Sequence, residues 1–108
     1  MPVQYEIVHL LCAAQGYLAE IRRLDLPADA PKGRRYQWLW IEDGTVSSLL
    51  FLGMDEPTGA RVFEDARLRF DGSGGELRWH DGRTVTLAVD AHRVLPATLR
   101  SLVHEHLS

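Results

Sequence analysis

The stretch Arg61–Val89, RVFEDARLRFDGSGGELRWHDGRTVTLAV, decides the fold. Its apolar and polar residues alternate and its segments end in Gly-containing turns, the pattern of strands joined by hairpins. Residues directly across an antiparallel pair point to the same face, so each turn length can be tested by parity. A two-residue Asp81-Gly82 turn puts Leu77 opposite Thr86 and Arg78 opposite Val85, mixing the faces. A three-residue loop, His80-Asp81-Gly82 with Gly82 left-handed, instead pairs Trp79 with Arg83 and Leu77 with Val85. Leu77, Trp79, Val85, Leu87 and Val89 then share one face. By the same parity a four-residue loop, Asp71-Gly72-Ser73-Gly74, aligns Leu68 with Leu77 and Ala66 with Trp79. One inner face therefore runs through three strands.

Upstream, Tyr36–Glu42 and Thr45–Leu52 read as two further strands, which with Arg61–Phe70, Glu76–His80 and Arg83–Val89 make about five. Leu95–Leu107 places Leu95, Leu99, Leu102, Val103 and Leu107 on one helical stripe with Pro96 near its start. At the N-terminus Val3, Ile7, Leu10, Leu11 and Ala14 follow helical spacing, and Gly16 suits a left-handed cap, so a helix is expected over Val3–Gln15. A strand competes there, because Val3, Tyr5 and Ile7 also alternate and favour β structure. Tyr17–Leu26 fits either the end of that helix or the start of the sheet. The expected fold is a single α+β domain over residues 1–108: an antiparallel sheet of about five strands, an N-terminal helix and a short C-terminal helix.

The 108 residues suffice for one core and leave little protein for a deep catalytic cleft. Twelve Lys and Arg against fifteen Asp and Glu give a net charge of −3, so no global field draws the chain to DNA or an anionic membrane. Eleven of the twelve are Arg, a bias that fits a GC-rich coding sequence and equally the planar recognition of carboxylate or phosphate. Cys12 is the only cysteine, which excludes an internal disulfide and a Cys-based zinc site within one chain. No apolar run approaches the roughly 20 residues of a membrane span, and no secretory leader opens the sequence, so a cytoplasmic protein is expected. Leu26–Gly33 and Gly53–Gly59 read as loops.

Two surfaces carry the functional expectations. The hairpin Tyr36–Leu52 is apolar on both faces, with Trp38 and Trp40 pointing one way and Leu39 and Ile41 the other. Either two helices sandwich it, or one face is a docking surface in which Tyr36, Trp38, Trp40 and Phe51 meet a protein partner or a second copy. On the outer face of the last three strands, Arg67, Arg69, Arg78 and His80 form a basic patch that fits an RNA backbone or an acidic partner segment, against the plainer alternative of a solvated face in which Arg69 pairs with Glu76.

Catalytic and metal chemistry find less support. No HExxH occurs among the five histidines, and His104 and His106 diverge by roughly 200° on a helix. His9 and Cys12 would share a face of the expected N-terminal helix, but Cys12 sits among Leu10, Leu11, Ala13 and Ala14, where a thiol is inert. The Gly-rich turns lack the P-loop lysine. No cofactor, metal or catalytic residue is expected.

Phe63–Gly82, FEDARLRFDGSGGELRWHDG, resembles the strand-turn-strand segment of small accessory proteins encoded beside type III CRISPR effector complexes, in its aromatic and Leu/Arg spacing followed by ELRW. The resemblance covers about a fifth of the chain and holds no catalytic signature. It implies a non-catalytic subunit docked on an RNA-guided complex, with Arg67, Arg69 and Arg78 available to RNA or a neighbouring subunit. The sequence thus points to a non-enzymatic interaction module that binds protein through the aromatic hairpin, with RNA binding as the second function and a small enzyme as the third.

Overall fold

A computed structural model describes residues 2–108. The chain is mostly antiparallel sheet: nine strands curl into a nearly closed barrel, with 14% of residues helical. In chain order the strands are β1 (Tyr5–Cys12), β2 (Gly16–Arg23), β3 (Tyr36–Glu42), β4 (Thr45–Leu49), β5 (Phe51–Asp55), β6 (Ala60–Phe63), β7 (Ala66–Phe70), β8 (Gly74–Trp79) and β9 (Thr84–Val89). A one-turn helix α1 (Lys32–Arg35) precedes β3, and helix α2 (Ala97–Leu107) ends the chain. The expected α+β fold with five strands and an N-terminal helix is therefore corrected to a strand-dominated barrel.

The strand order, β4-β3-β2-β1-β9-β8-β7-β6-β5, resolves into two up-and-down meanders, β1 to β4 and β5 to β9. Leu50 alone connects them along the chain, and a short β1–β9 pairing, Leu11 with Val89 and Cys12 with Ala88, joins them side by side. Because β4 pairs only with β3 and β5 only with β6, each keeps one free edge.

From β7 to β9 the second meander follows the sequence parity residue for residue. Leu68 faces Leu77, Ala66 faces Trp79 and Leu77 faces Val85, while Trp79 donates its amide to the Arg83 carbonyl at 2.8 Å and Gly82 takes φ 100°. Arg61–Phe70 is two strands rather than one, because Glu64 and Asp65 turn the chain between buried Phe63 and Ala66. Thr45–Leu52 likewise divides at Leu50, and Gly53–Asp55, expected in a loop, continue β5.

The N-terminal segment is a hairpin. Val8 is a bulge in β1, so that Ile7 faces Ile21 but His9 faces Glu20. Gly16 opens β2 against Glu42 so closely that a Cβ would lie 1.9 Å from the Ile41 carbonyl oxygen, which only glycine allows.

Two cores result. Leu11, Leu18, Trp38, Trp40, Leu49, Phe63, Leu68, Leu77, Val85 and Leu87 fill the barrel. Leu10, Ala19, Ile21, Leu39 and Ile41 face outward from the first meander and are covered by Leu95 and Val103, with Leu99 and Leu107 packed alongside. The first meander is thus apolar on both faces because α2 covers its outside, while the second alternates because its outside meets water. Each fully buried Leu, Ile or Phe contributes about 1.5–3 kcal/mol.

Candidate functional site

The aromatic hairpin is not a surface. Trp38 and Trp40 are only 3% and 5% exposed inside the barrel, and Leu39 and Ile41 lie under α2. Both apolar faces are satisfied within the chain, by the barrel on one side and a single helix on the other. Tyr36 is half-buried at the start of β3, beneath Lys32 Nζ at 5.9 Å and the Arg35 guanidinium at 5.7 Å. Of the four expected partner-binding residues, only Phe51 stands open, at 44% exposure on β5.

Phe51 nevertheless shares a cleft with two of the others, Tyr36 and Trp38. Among the described residues six large hydrophobic side chains are exposed, and four of them, Leu50, Phe51, Leu52 and Met54, lie in one run on or beside β5. Phe51 faces Phe63 and Met54 faces Arg61 across the β5–β6 pair, so both point toward the barrel mouth; Leu52 is the extra residue of a bulge there. Along the free side of β5 runs a cleft of about 750 Å³, walled by Tyr36, Trp38, Leu49, Phe51, Met54 and Arg61.

The charges in this cleft are unevenly matched. Glu20 is the only carboxylate on its wall, and its Oε1 lies 2.8 Å from His9 Nδ1. The His9 ring lies parallel to Trp38 with 6.2 Å between centroids and meets Phe70 edge-on at 5.2 Å. Arg61 stacks its guanidinium over Phe70 at 4.5 Å and Trp38 at 5.8 Å, but has no ion pair or side-chain hydrogen bond among the described residues. Lys32, at the rim, also has no ion pair among them.

A second cleft, of about 760 Å³, borders β4 and includes Trp40, Glu42, Ser47, Trp79, His80 and Arg83. Its own residues tie it together. Trp40 Nε1 donates to Glu42 Oε1 at 3.0 Å, Arg83 bonds the same carboxylate and lies 4.9 Å over Trp79, and the two indoles meet edge-to-face at 5.3 Å.

Three of the four residues expected in a basic patch lie together on the outer face of the second meander. Arg67, Arg69 and Arg78 are exposed there, with Arg67 directly across from Arg78, whereas exposed His80 follows β8 in the turn and lines the second cleft. Two of its cations are compensated: Arg67 donates to Asp55 at 2.7 Å and Arg78 to Glu76 at 3.3 Å. Arg69 sits opposite Glu76 without an ion pair among the described residues.

His9 and Cys12 are three residues apart on a strand and face opposite ways. His9 turns to Glu20, whereas the Cys12 thiol donates to Asp90 at 3.8 Å, and burial with the adjacent Asp90 charge pushes it above the ordinary thiol range. That is the reverse of what a cysteine nucleophile needs. Among the described residues no three His, Cys, Asp or Glu side chains come together as a metal site, and no helix is long and apolar enough to cross a membrane.

Sequence reasoning names Phe51 but misses the rest of the β5 edge, Arg61 and the His9–Glu20 pair. The signal lies in Leu49–Met54, LLFLGM, which is apolar at every position but glycine, a pattern inconsistent with a strand that has one wet face. No protein-family model matches this barrel, and neither the curated proteins nor the solved structures include a match.

Proposed function

We propose that the chain is a non-enzymatic interaction module that takes up an extended segment of a partner protein along the free edge of β5. The observation that carries this reading is the coincidence of Leu50, Phe51, Leu52 and Met54, all exposed, with a strand that has an unpaired side. Exposed apolar edge strands invite aggregation and are normally charged, shortened or covered. One kept open beside a cleft is the arrangement used in strand addition, where main-chain hydrogen bonds provide affinity and alternate side chains provide selectivity. A second copy is the poorer occupant, because it brings its own Lys32 and Arg61 toward the same unpaired cations.

The test is a tagged copy purified from its own host at moderate salt, beside a Leu52→Lys, Met54→Lys double variant. A protein that co-elutes with the parent and with Arg67→Ala, Arg78→Ala, but is lost from the edge variant, supports the reading. A clean monomer, a partner retained by the edge variant, or a homodimer dissolved by it overturns the reading.

A second reading, an RNA-binding accessory subunit of a type III CRISPR-like effector complex, draws on Arg69, exposed on the outer face without an ion pair among the described residues. Compensation of Arg67 and Arg78 weakens it.

A further inference from the structure

Resting on the docking reading, we infer that the β5 cleft selects a segment carrying an acidic side chain between two apolar ones, with Arg61 as the group that reads the carboxylate. Strand addition continues the sheet alternation, so residues of the added strand point in turn into the mouth and away from it. Inward residues enter the space walled by Trp38, Phe51, Met54 and Arg61; their neighbours on either side pack against Leu50 and Leu52.

Arg61 is suited to this task because none of the described residues offers it an ion pair or a side-chain hydrogen bond. A guanidinium presents five donors in a fixed fork that matches a carboxylate. Here the fork is half-buried and held flat against Phe70 and Trp38, which orients it and excludes water from one side. In a barrel this small a partly buried cation is expected to find an acid, and the only acid on the cleft wall is Glu20. His9, on the neighbouring strand, engages Glu20 instead. The pair keeps the internal carboxylate occupied, and Arg61, reinforced by Lys32 at the rim, is left for an external one. The cleft therefore has apolar walls and a guanidinium without an ion pair among the described residues, the complement of an apolar-acidic-apolar strand.

The experiment is selection of linear peptides displayed on phage against the full chain, followed by titration of the best amidated peptide and its Glu→Gln or Asp→Asn counterpart. The expected result is enrichment of an acid flanked by apolar residues. Neutralising that acid weakens binding at least about tenfold, Arg61→Gln does the same, and combining the two adds little further loss. Arg61→Lys keeps the charge without the fork and falls between, which separates recognition from a folding defect. Enriched peptides that lose affinity with Leu52→Lys but carry no acid, or whose binding ignores Arg61→Gln, overturn this inference and leave the docking reading standing. Failure to enrich any peptide sensitive to Leu52→Lys overturns both.

Discussion

Arg83 Nη2 donates to both carboxylate oxygens of Glu42 at 2.7 Å, joining residues 41 apart in the chain across one mouth of the barrel. Glu42 ends β3 and Arg83 immediately precedes β9, and β2 and β1 lie between these strands. The pair therefore closes the mouth rather than extending a ladder, and Trp40 and Trp79 are held in place behind it.

That pair gives a pH prediction. The Arg83 hydrogen bond, aided by that of Trp40, holds Glu42 below its ordinary value of 4.5. A carboxylate lowered in the folded state stabilises fully above its unfolded pKa and loses that contribution as pH falls through the folded one. Urea unfolding of the parent and Glu42→Gln should differ by a constant amount from neutral pH to about 4.5, with the gap closing at lower pH. A gap independent of acid would show that the pair does not titrate as described.

The burial contrast between β3 and the β5 edge predicts opposite effects for two apolar residues. Trp38→Ala empties the barrel core and should cost about 3–5 kcal/mol, whereas Leu52→Ser should stay within about 0.5 kcal/mol of the parent. Denaturant midpoints measure both. Equal losses would mean that Leu52 is not on an open edge.

Helix α2 is needed to cover the first meander. Val103, fully buried against the outward face of that meander, becomes an uncompensated charge in Val103→Asp, which should cost about 3–4 kcal/mol and expose Leu39 and Ile41 to a hydrophobic dye. A change below about 1 kcal/mol would show the helix to be detachable.

The outer basic face makes its prediction through salt. If it holds RNA, Arg67→Ala with Arg78→Ala should weaken single-stranded RNA binding and flatten its dependence on salt concentration by about one unit per lost phosphate contact. Filter binding over a range of salt decides this. Because both arginines already bond acids, unchanged binding would remove the face from consideration.

Legibility in the sequence tracks how many faces of a strand meet water. From Ala66 to Val89 one face is wet, so alternation and turn parity suffice to give the register. At the N-terminus both faces of β1 are covered, and the bulge at Val8 shifts the alternation by one residue. Ile7, Leu10 and Leu11 then fall three and one apart, the spacing of a helical stripe, although each serves a strand. The Glu64-Asp65 turn is hard to read because it contains no glycine or proline. Trp38 and Trp40 suggest a partner surface because aromatic residues favour both interfaces and cores, and only the closure of the barrel distinguishes the two. Arg61 is invisible in the sequence because what marks it is a missing partner.

The division into two meanders has a kinetic meaning. Within each half every strand pairs with its neighbour in sequence, so hairpins form by short loop closures. Among the strand pairings, the β1–β9 ladder is the one that must bring together nearly the whole chain, and it is only two residue pairs long. Closure of the barrel therefore carries the largest loop-closure cost of any strand pairing, and so short a ladder should be the first to part in the native ensemble. Amide exchange at Leu11, Cys12, Ala88 and Val89 will report that breathing while the interior of each half stays protected.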